Sequence, residues 1–246
     1  MISLSPLDQE RFGIAIARCD HVTPANIEET LEFCRAERVR MLIARCPISE
    51  IGTAQKLEAE GGRLMDTLIH YERALSPDVT LEHACEVAIR PFRPSDEDAV
   101  RTIAQESFRG YAGHYHADPR LDPALVAEIY PSWAVRSCRS SDVADQVLVA
   151  DDGDVAGFAT LRMNDRHRGE GVLFAVGERA RGRGIYRAFM VEGMRWCIGR
   201  GADRMVVSTQ LTNGVVQNVW IGLGFTPTSA FYTFHVWFSR DSHDSA

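Results

Sequence analysis

Lysine is almost missing from this 246-residue chain: Lys56 stands alone, so arginine carries nearly all of the positive charge. Acids outnumber bases, 34 to 27, and a net charge of -7 argues against a nucleic-acid partner, whose phosphates demand clustered cations. The chain also lacks an apolar run of the roughly 18 residues that a membrane span needs. Its first residues, MISLSPLDQERFG, show no basic segment followed by an apolar one, so a soluble cytoplasmic protein is expected. Cys19, Cys34, Cys46, Cys85, Cys138 and Cys197 include no CxxC pair and sit mostly in apolar runs. They predict reduced core thiols, with neither a disulfide frame nor a zinc site. No metal is expected from His114 and His116, which would point to opposite faces of an extended segment. What is present, 45% hydrophobic and 25% charged residues, suffices for one large domain or two smaller ones.

A polar, proline-bearing stretch, LSPDVTLEHA, separates two β-rich blocks and predicts two structural units, 1–78 and 86–241. In the first, the pattern predicts strands over 12–17, 39–45 and 64–71 and helices over 24–37, with Thr23 as N-cap, and 51–60. The second begins with a short strand ending at Pro91 and a helix capped by Ser95. An aromatic loop, FRGYAGHYHADPRLD, leads to a helix over 123–136. A hairpin follows, turning at Asp151-Asp152-Gly153. Strands over 171–177, 205–209 and 231–238 then alternate with helices over 184–200 and 214–223. Arg40–Ile43 and Arg204–Val207, like Gly61-Gly62 and Gly224-Phe225, stand at the same separation to within one residue. That spacing fits an internal repeat; it also fits the general likeness of any two β-α-β units.

Chemistry concentrates in VLFAVGERARGRGIYRAFM, a buried strand running into Arg179-Ala180-Arg181-Gly182-Arg183-Gly184 and an amphipathic helix. Two glycines permit a tight turn that brings N–H groups close to a ligand, while the helix presents its positive end at the same point. Arg162, Arg166, Arg168, Arg179, Arg181, Arg183 and Arg187 stand against Asp165, Glu170 and Glu178, a local positive stretch in a negative chain. The ligand is therefore expected to be polyanionic; a solvated arginine-rich turn is the plainer alternative. Arg187 occupies the place of the third glycine of a dinucleotide loop, and no Gly-Lys-Ser/Thr is present, which disfavours a nicotinamide cofactor and ATP.

Strand, RxxGxG, helix and strand, then Asn213, Val216, Trp220 and Gly224-Phe225, resemble the GNAT superfamily of acyl-CoA-dependent N-acetyltransferases over about residues 86–239. The resemblance implies an α/β protein with a mixed sheet, a GNAT fold over 86–241, and acetyl-CoA as acyl donor. It assigns backbone pairing with pantetheine to Phe174, Ala175 and Val176, and pyrophosphate binding to the loop of Arg179, Arg181, Gly182, Arg183 and Gly184 with Ile185. Positioning of the CoA arm falls to Asn213, which is equally suited to cap a helix. The front unit resembles the partial GNAT-like β/α domain of TDP-fucosamine acetyltransferases and their relatives. This narrower likeness implies a small-molecule amine acceptor, a nucleotide-linked 4-amino-4,6-dideoxy sugar of surface polysaccharide, including lipopolysaccharide. Protein or polyamine acetylation is the alternative. A homodimer is also expected, since strand-mediated dimers are common among such proteins.

Trp220 departs from the family pattern, which places there a tyrosine that protonates the thiolate; an indole N–H cannot do so. Three readings stay open: Tyr232 or Tyr186 serves instead, the thiolate leaves unassisted, or the chain binds CoA without catalysis. Glu170, His114, His116 and His235 are candidate bases, although each histidine also suits a structural role. Tyr111, His114, Tyr115, His116, Asp118 and Arg120 are candidates for the acceptor pocket, unless theirs is a plain structural loop.

Overall fold

Pro6 at the first helical position and Gly13 in the left-handed conformation (φ 67°) close a helix where the chain was expected to enter a strand. Phe12 thus ends a helix, and the strand begins only at Ile16. The computed structural model describes residues 1–78 and 80–239; positions 240 and 241 of the expected second unit lie outside the described residues. The elements run β1 (Ile2–Leu4), α1 (Pro6–Phe12), β2 (Ile16–Cys19), α2 (Ile27–Ala36), β3 (Met41–Pro47), α3 (Ile51–Ala59) and β4 (Arg63–Ala74). No helix or strand is described from there until β5 (Ala88–Pro91), which precedes α4 (Glu97–Ser107), α5 (Pro123–Ala127), α6 (Ile129–Arg139), β6 (Gln146–Asp151), β7 (Val155–Asp165) and β8 (Arg168–Val176). The chain continues with α7 (Ile185–Gly199), β9 (Arg204–Gln210), α8 (Gly214–Ile221) and β10 (Thr226–Trp237).

Local chemistry moved some boundaries. Asn26 Oδ1 accepts the Thr23 N–H at 2.8 Å, so Asn26, not Thr23, organises the start of α2. Asp96 replaces Ser95 at the head of α4: its carboxylate accepts the Arg93 N–H at 2.7 Å and is held by Arg90. The single helix expected over 123–136 is two, α5 and α6.

Among the described residues the strands form one mixed ten-stranded sheet, in the order β1-β2-β3-β10-β4-β9-β8-β7-β6-β5. The last strand therefore lies inside the front unit, between β3 and β4. The two halves share one plan. The parallel pair β2–β3 corresponds to β8–β9, α3 to α8, and the twelve-residue β4 to the twelve-residue β10. Phe231 lies opposite Pro47 and Trp237 opposite Met41. Leu68 opposite Gln210 and Ala74 opposite Arg204 make the equivalent ladder. An approximate two-fold axis accordingly passes between β4 and β10.

Cores are exchanged along with strands. Tyr71 and Leu75, from and just past β4, pack in the rear core with Trp220 and Phe225, whereas Phe234 and Val236 of β10 join Leu31, Leu42 and Leu57 in the front core. All six cysteines are free; burial pushes the Cys34 and Cys197 thiols up to about 12, which leaves them protonated and unreactive. Among the described residues no helix is long and apolar enough to cross a membrane.

Candidate active site

The site begins where β8 and β9 part. They pair in parallel from Arg168–Arg204 to Gly171–Val207 and no further. At that point β8 bulges: its register against β7 skips Val172, between Gly171 opposite Leu161 and Leu173 opposite Thr160. The Thr160 hydroxyl accepts the Leu173 N–H at 3.0 Å and fixes the kink. A cavity of about 650 Å³ fills the splay, with Leu173 and Phe174 on one lip and Ser208, Thr209 and Gln210 on the other.

At the end of β8 the chain passes through a short 3-10 turn, Glu178–Ala180, to Gly182 and Gly184, both at φ 78°. Only glycine holds that conformation cheaply. Among the described residues, the N–H groups of residues 182–187 donate to no backbone carbonyl. They converge at the start of α7, whose dipole adds positive potential, and this donor set fits a diphosphate. Arg183 is occupied by Asp152 at 2.5 Å and Arg181 approaches Glu178 at 3.8 Å. The Ile185 side chain is buried in the rear core, so its backbone alone faces the ligand side.

The cavity brings together Phe174, Glu170, Asn213, Tyr111, His114 and Tyr115 of the expected residues. Asn213 stands at the N-cap position of α8 without capping it; its Nδ2 donates to Thr209 Oγ1 at 3.0 Å. Tyr111 donates to the Gln210 side chain, and Glu170 receives Arg162 at 2.6 Å. Other expected residues fall elsewhere. Alternation along β10 turns Tyr232 onto the front core, away from the cavity, and His235 to the opposite face, where it is fully buried behind His114. His116 lines a second cavity, which shares Phe108 and Tyr115 with the first, and Arg120 lies over the Trp237 ring, 5.5 Å from its centre.

Trp220 does not reach the cavity alone. Its Nε1–H donates to the Tyr186 hydroxyl at 3.2 Å, and both side chains line the cavity beside Phe174. Burial raises the Tyr186 pKa despite that hydrogen bond, so the phenol stays protonated at neutral pH with its own hydrogen free to point into the cavity.

Sequence reasoning missed the residues of the front unit. Arg18 of β2, Arg45 of β3 and His70 of β4 line the same cavity, as do Arg11 and Asp8 of α1. Burial, assisted by Arg45, lowers the His70 pKa, and neither His70 Nδ1 nor Arg45 Nε has a hydrogen-bond partner among the described residues. The single available signal was His70, a titratable side chain within a predicted strand.

The comparisons with known proteins agree with this geometry. Residues 98–225 match the acetyltransferase (GNAT) family. The spore coat polysaccharide biosynthesis protein SpsD of Bacillus subtilis (strain 168) is 22% identical over 203 residues, covering 82% of this chain and 68% of that protein. A GCN5-related N-acetyltransferase from Sphaerobacter thermophilus shares the fold with a TM-score of 0.63 and 15% identity, over 95% of this chain and 75% of its own. A tandem GNAT protein from the clavulanic acid biosynthesis pathway does so with a TM-score of 0.58 and 16% identity, over 92% and 76%. Matched over more than half of its length, this chain belongs to the acetyltransferase (GNAT) family, and its chemistry is acyl transfer from an acyl-CoA.

Proposed function

We propose that the chain transfers an acetyl group from acetyl-CoA to the primary amine of a nucleotide-linked 4-amino-4,6-dideoxy sugar, in the cytoplasm, for surface-polysaccharide assembly. The observation that carries this reading is the two-sided cavity. Phe174, Tyr186 and Asn213 of the rear unit form one wall, and the guanidinium groups of Arg18 and Arg45 from the front unit form the other. Arg11, Arg18, Arg45, Arg136 and Arg162 outnumber Asp8, Asp142 and Glu170 around it, while Phe108, Tyr111, Tyr130 and Trp133 offer ring faces. Such a lining suits an acceptor that carries phosphates and a base. It suits a polyamine or lysine peptide poorly, because those need an acidic wall. The polysaccharide role in the name of the Bacillus relative supports the same reading.

In this reading the free amides of residues 182–187 hold the donor's diphosphate, the splayed edge of β8 from Phe174 to Val176 pairs with the pantetheine arm, and Asn213 steadies it. Tyr186 supplies the proton for the departing thiolate, with Trp220 fixing the phenol's orientation. The family tyrosine is thus replaced by a tyrosine on the neighbouring helix. The exchanged strands complete the cavity within one chain, so the expected homodimer is not needed to build it.

Incubation with acetyl-CoA and a TDP-4-amino-4,6-dideoxyhexose, with thiol release followed, should give turnover well above that on lysine peptides or spermidine. No release across such sugars would sink the sugar reading; binding of acetyl-CoA without turnover on any amine would favour a silent CoA-binding module.

A further inference from the structure

One buried chain of hydrogen bonds is left unused by the acid side of this chemistry. Asp118 Oδ2 accepts from His235 Nδ1 at 2.7 Å, and His235 Nε2 lies 2.9 Å from His114 Nδ1. His235 is fully buried, Asp118 is 4% exposed and His114 is 7% exposed. His114 lines the acceptor cavity, and its Nε2 bonds to no side chain among the described residues. Asp118 is ionised without a cation against it: its partners are His235, the Trp237 indole N–H at 2.8 Å and the Arg120 backbone N–H at 3.0 Å. A buried carboxylate held by such donors alone leaves the cluster one positive charge short.

We propose that Asp118, His235 and His114 form a proton relay that takes the acceptor's proton out of the cavity, with His114 Nε2 as the accepting atom and catalytic group; the proposal rests on the acetyl-transfer reading above. The hydrogen bonds dictate the two states. At rest, His235 Nδ1–H donates to Asp118, so His235 Nε2 is a lone pair, His114 carries its proton on Nδ1, and His114 Nε2 is bare. When the amine nitrogen bonds to the acetyl carbon, the carbonyl π pair moves to oxygen and the nitrogen becomes strongly acidic. Its proton passes to His114 Nε2 as the Nδ1 proton of His114 passes, in the same concerted step, to His235 Nε2, leaving neutral His114 in its other tautomer and a His235 cation against Asp118. The oxygen pair re-forms the carbonyl as the C–S bond breaks, its electron pair leaves with sulfur, and sulfur takes the Tyr186 proton. Positive charge thus never rests on His114. That matters because burial, together with His235, Arg18 of β2, Arg45 of β3 and His116 of its own loop, holds the His114 pKa far below the ordinary histidine value. Tyr115, whose ring lies tilted against His114 at 3.9 Å between centroids, is itself tied to Asp8 and Arg18 and offers no competing acid.

The other titratable groups of the cavity lack this arrangement. Glu170 is paired with Arg162 at 2.6 Å, and His70, under the opposed influence of Arg45 and Glu170, has no hydrogen-bond partner on Nδ1 among the described residues. His235 and Asp118 act through His114 and are positioning residues.

Nitrogen-15 NMR on the histidine-labelled full chain reads the relay without any substrate. At the pH of activity His114 should carry its proton on Nδ1 and none on Nε2, the tautomer that its hydrogen bond to His235 Nε2 requires. His114→Ala should lower kcat about a hundredfold, the usual worth of a general base, with the KM for acetyl-CoA unchanged and with recovery on adding imidazole. Asp118→Asn should lower kcat less and add nothing to His114→Ala. A proton on Nε2 of His114 at the pH of activity, or full turnover by His114→Ala, overturns the relay alone. Absence of turnover by the unaltered chain on any amine overturns instead the reading beneath it.

Discussion

The front and rear units place a strand, a loop and a helix in the same order, yet their loops spend their amides differently. In the front loop between β2 and α2, Val22 N–H donates to the Arg45 carbonyl, Thr23 N–H to Asn26 Oδ1, and the N–H groups of Asn26 and Ile27 to the Thr23 carbonyl. In the rear loop, residues 182–187 donate to no backbone carbonyl among the described residues. The same topology thus makes a closed turn in one half and an open anion cradle in the other. The helices behind the loops differ likewise. Tyr186, second in α7, lines the cavity, whereas Glu28, second in α2, is exposed and paired with Lys56. Trp220, seventh in α8, corresponds to Leu57, seventh in α3: a hydrogen-bond donor in one half and an aliphatic core residue in the other. A duplicated scaffold keeps its packing; chemistry resides in the few positions whose polar groups remain unspent.

This comparison can be broken most forcefully at the seam. Phe234 lies on a strand of the rear unit but in the front core, so Phe234→Ala should cost about 3–5 kcal/mol. Calorimetry should show one transition moving as a whole; two transitions, with only one displaced, would mean that the halves unfold separately. The next largest effect belongs to the cradle. Gly182→Val combined with Gly184→Val should cost about 1–2 kcal/mol of left-handed strain at each site. Acetyl-CoA affinity by titration calorimetry should collapse while circular dichroism stays native, and Ala25→Val in the front loop should leave affinity untouched. Tyr186→Phe should lower kcat about a hundredfold with little change in the KM for acetyl-CoA, whereas Glu28→Gln should be silent. Equal rates for both variants would remove the asymmetry.

The smallest effect is read in acid. Burial alone would raise the Asp118 pKa, but hydrogen bonds from His235, Trp237 and the Arg120 amide carry it from 3.8 to about 2. Because the folded value lies below the ordinary one, ionised Asp118 stabilises the native state above pH 3.8 and forfeits about 2 kcal/mol as the pH falls toward 2. Acid titration of stability should show that loss in the parent and not in Asp118→Asn.

The rear loop was legible because its chemistry is local: strand, glycines and helix start are consecutive, and their spacing alone predicts free amides. The hairpin at Asp151–Gly153 was legible for the same reason. The helix Pro6–Phe12 was hidden by the apolar run behind it, although Pro6 and Gly13 mark its two ends. What sequence could not show depends on strand exchange. Once β10 inserts between β3 and β4, alternation decides that Tyr232 enters the front core and His235 the opposite face, and no local pattern fixes that phase. Arg18, Arg45 and His70 reach the cavity only because β4 pairs with β9, a ladder between distant segments. His114 and His235 were each visible as candidates, but their juxtaposition across 121 positions was not.

The inserted strand also constrains the order of assembly. During synthesis β2, α2, β3, α3 and β4 emerge first, with the slot between β3 and β4 unfilled and the Leu31, Leu42 and Leu57 surface lacking Phe234 and Val236. The ribosome must deliver the whole rear unit before that slot can close. The first half therefore waits, exposed along two strand edges, for the last described strand, and this connectivity is expected to slow folding and to make aggregation most favourable before β10 arrives.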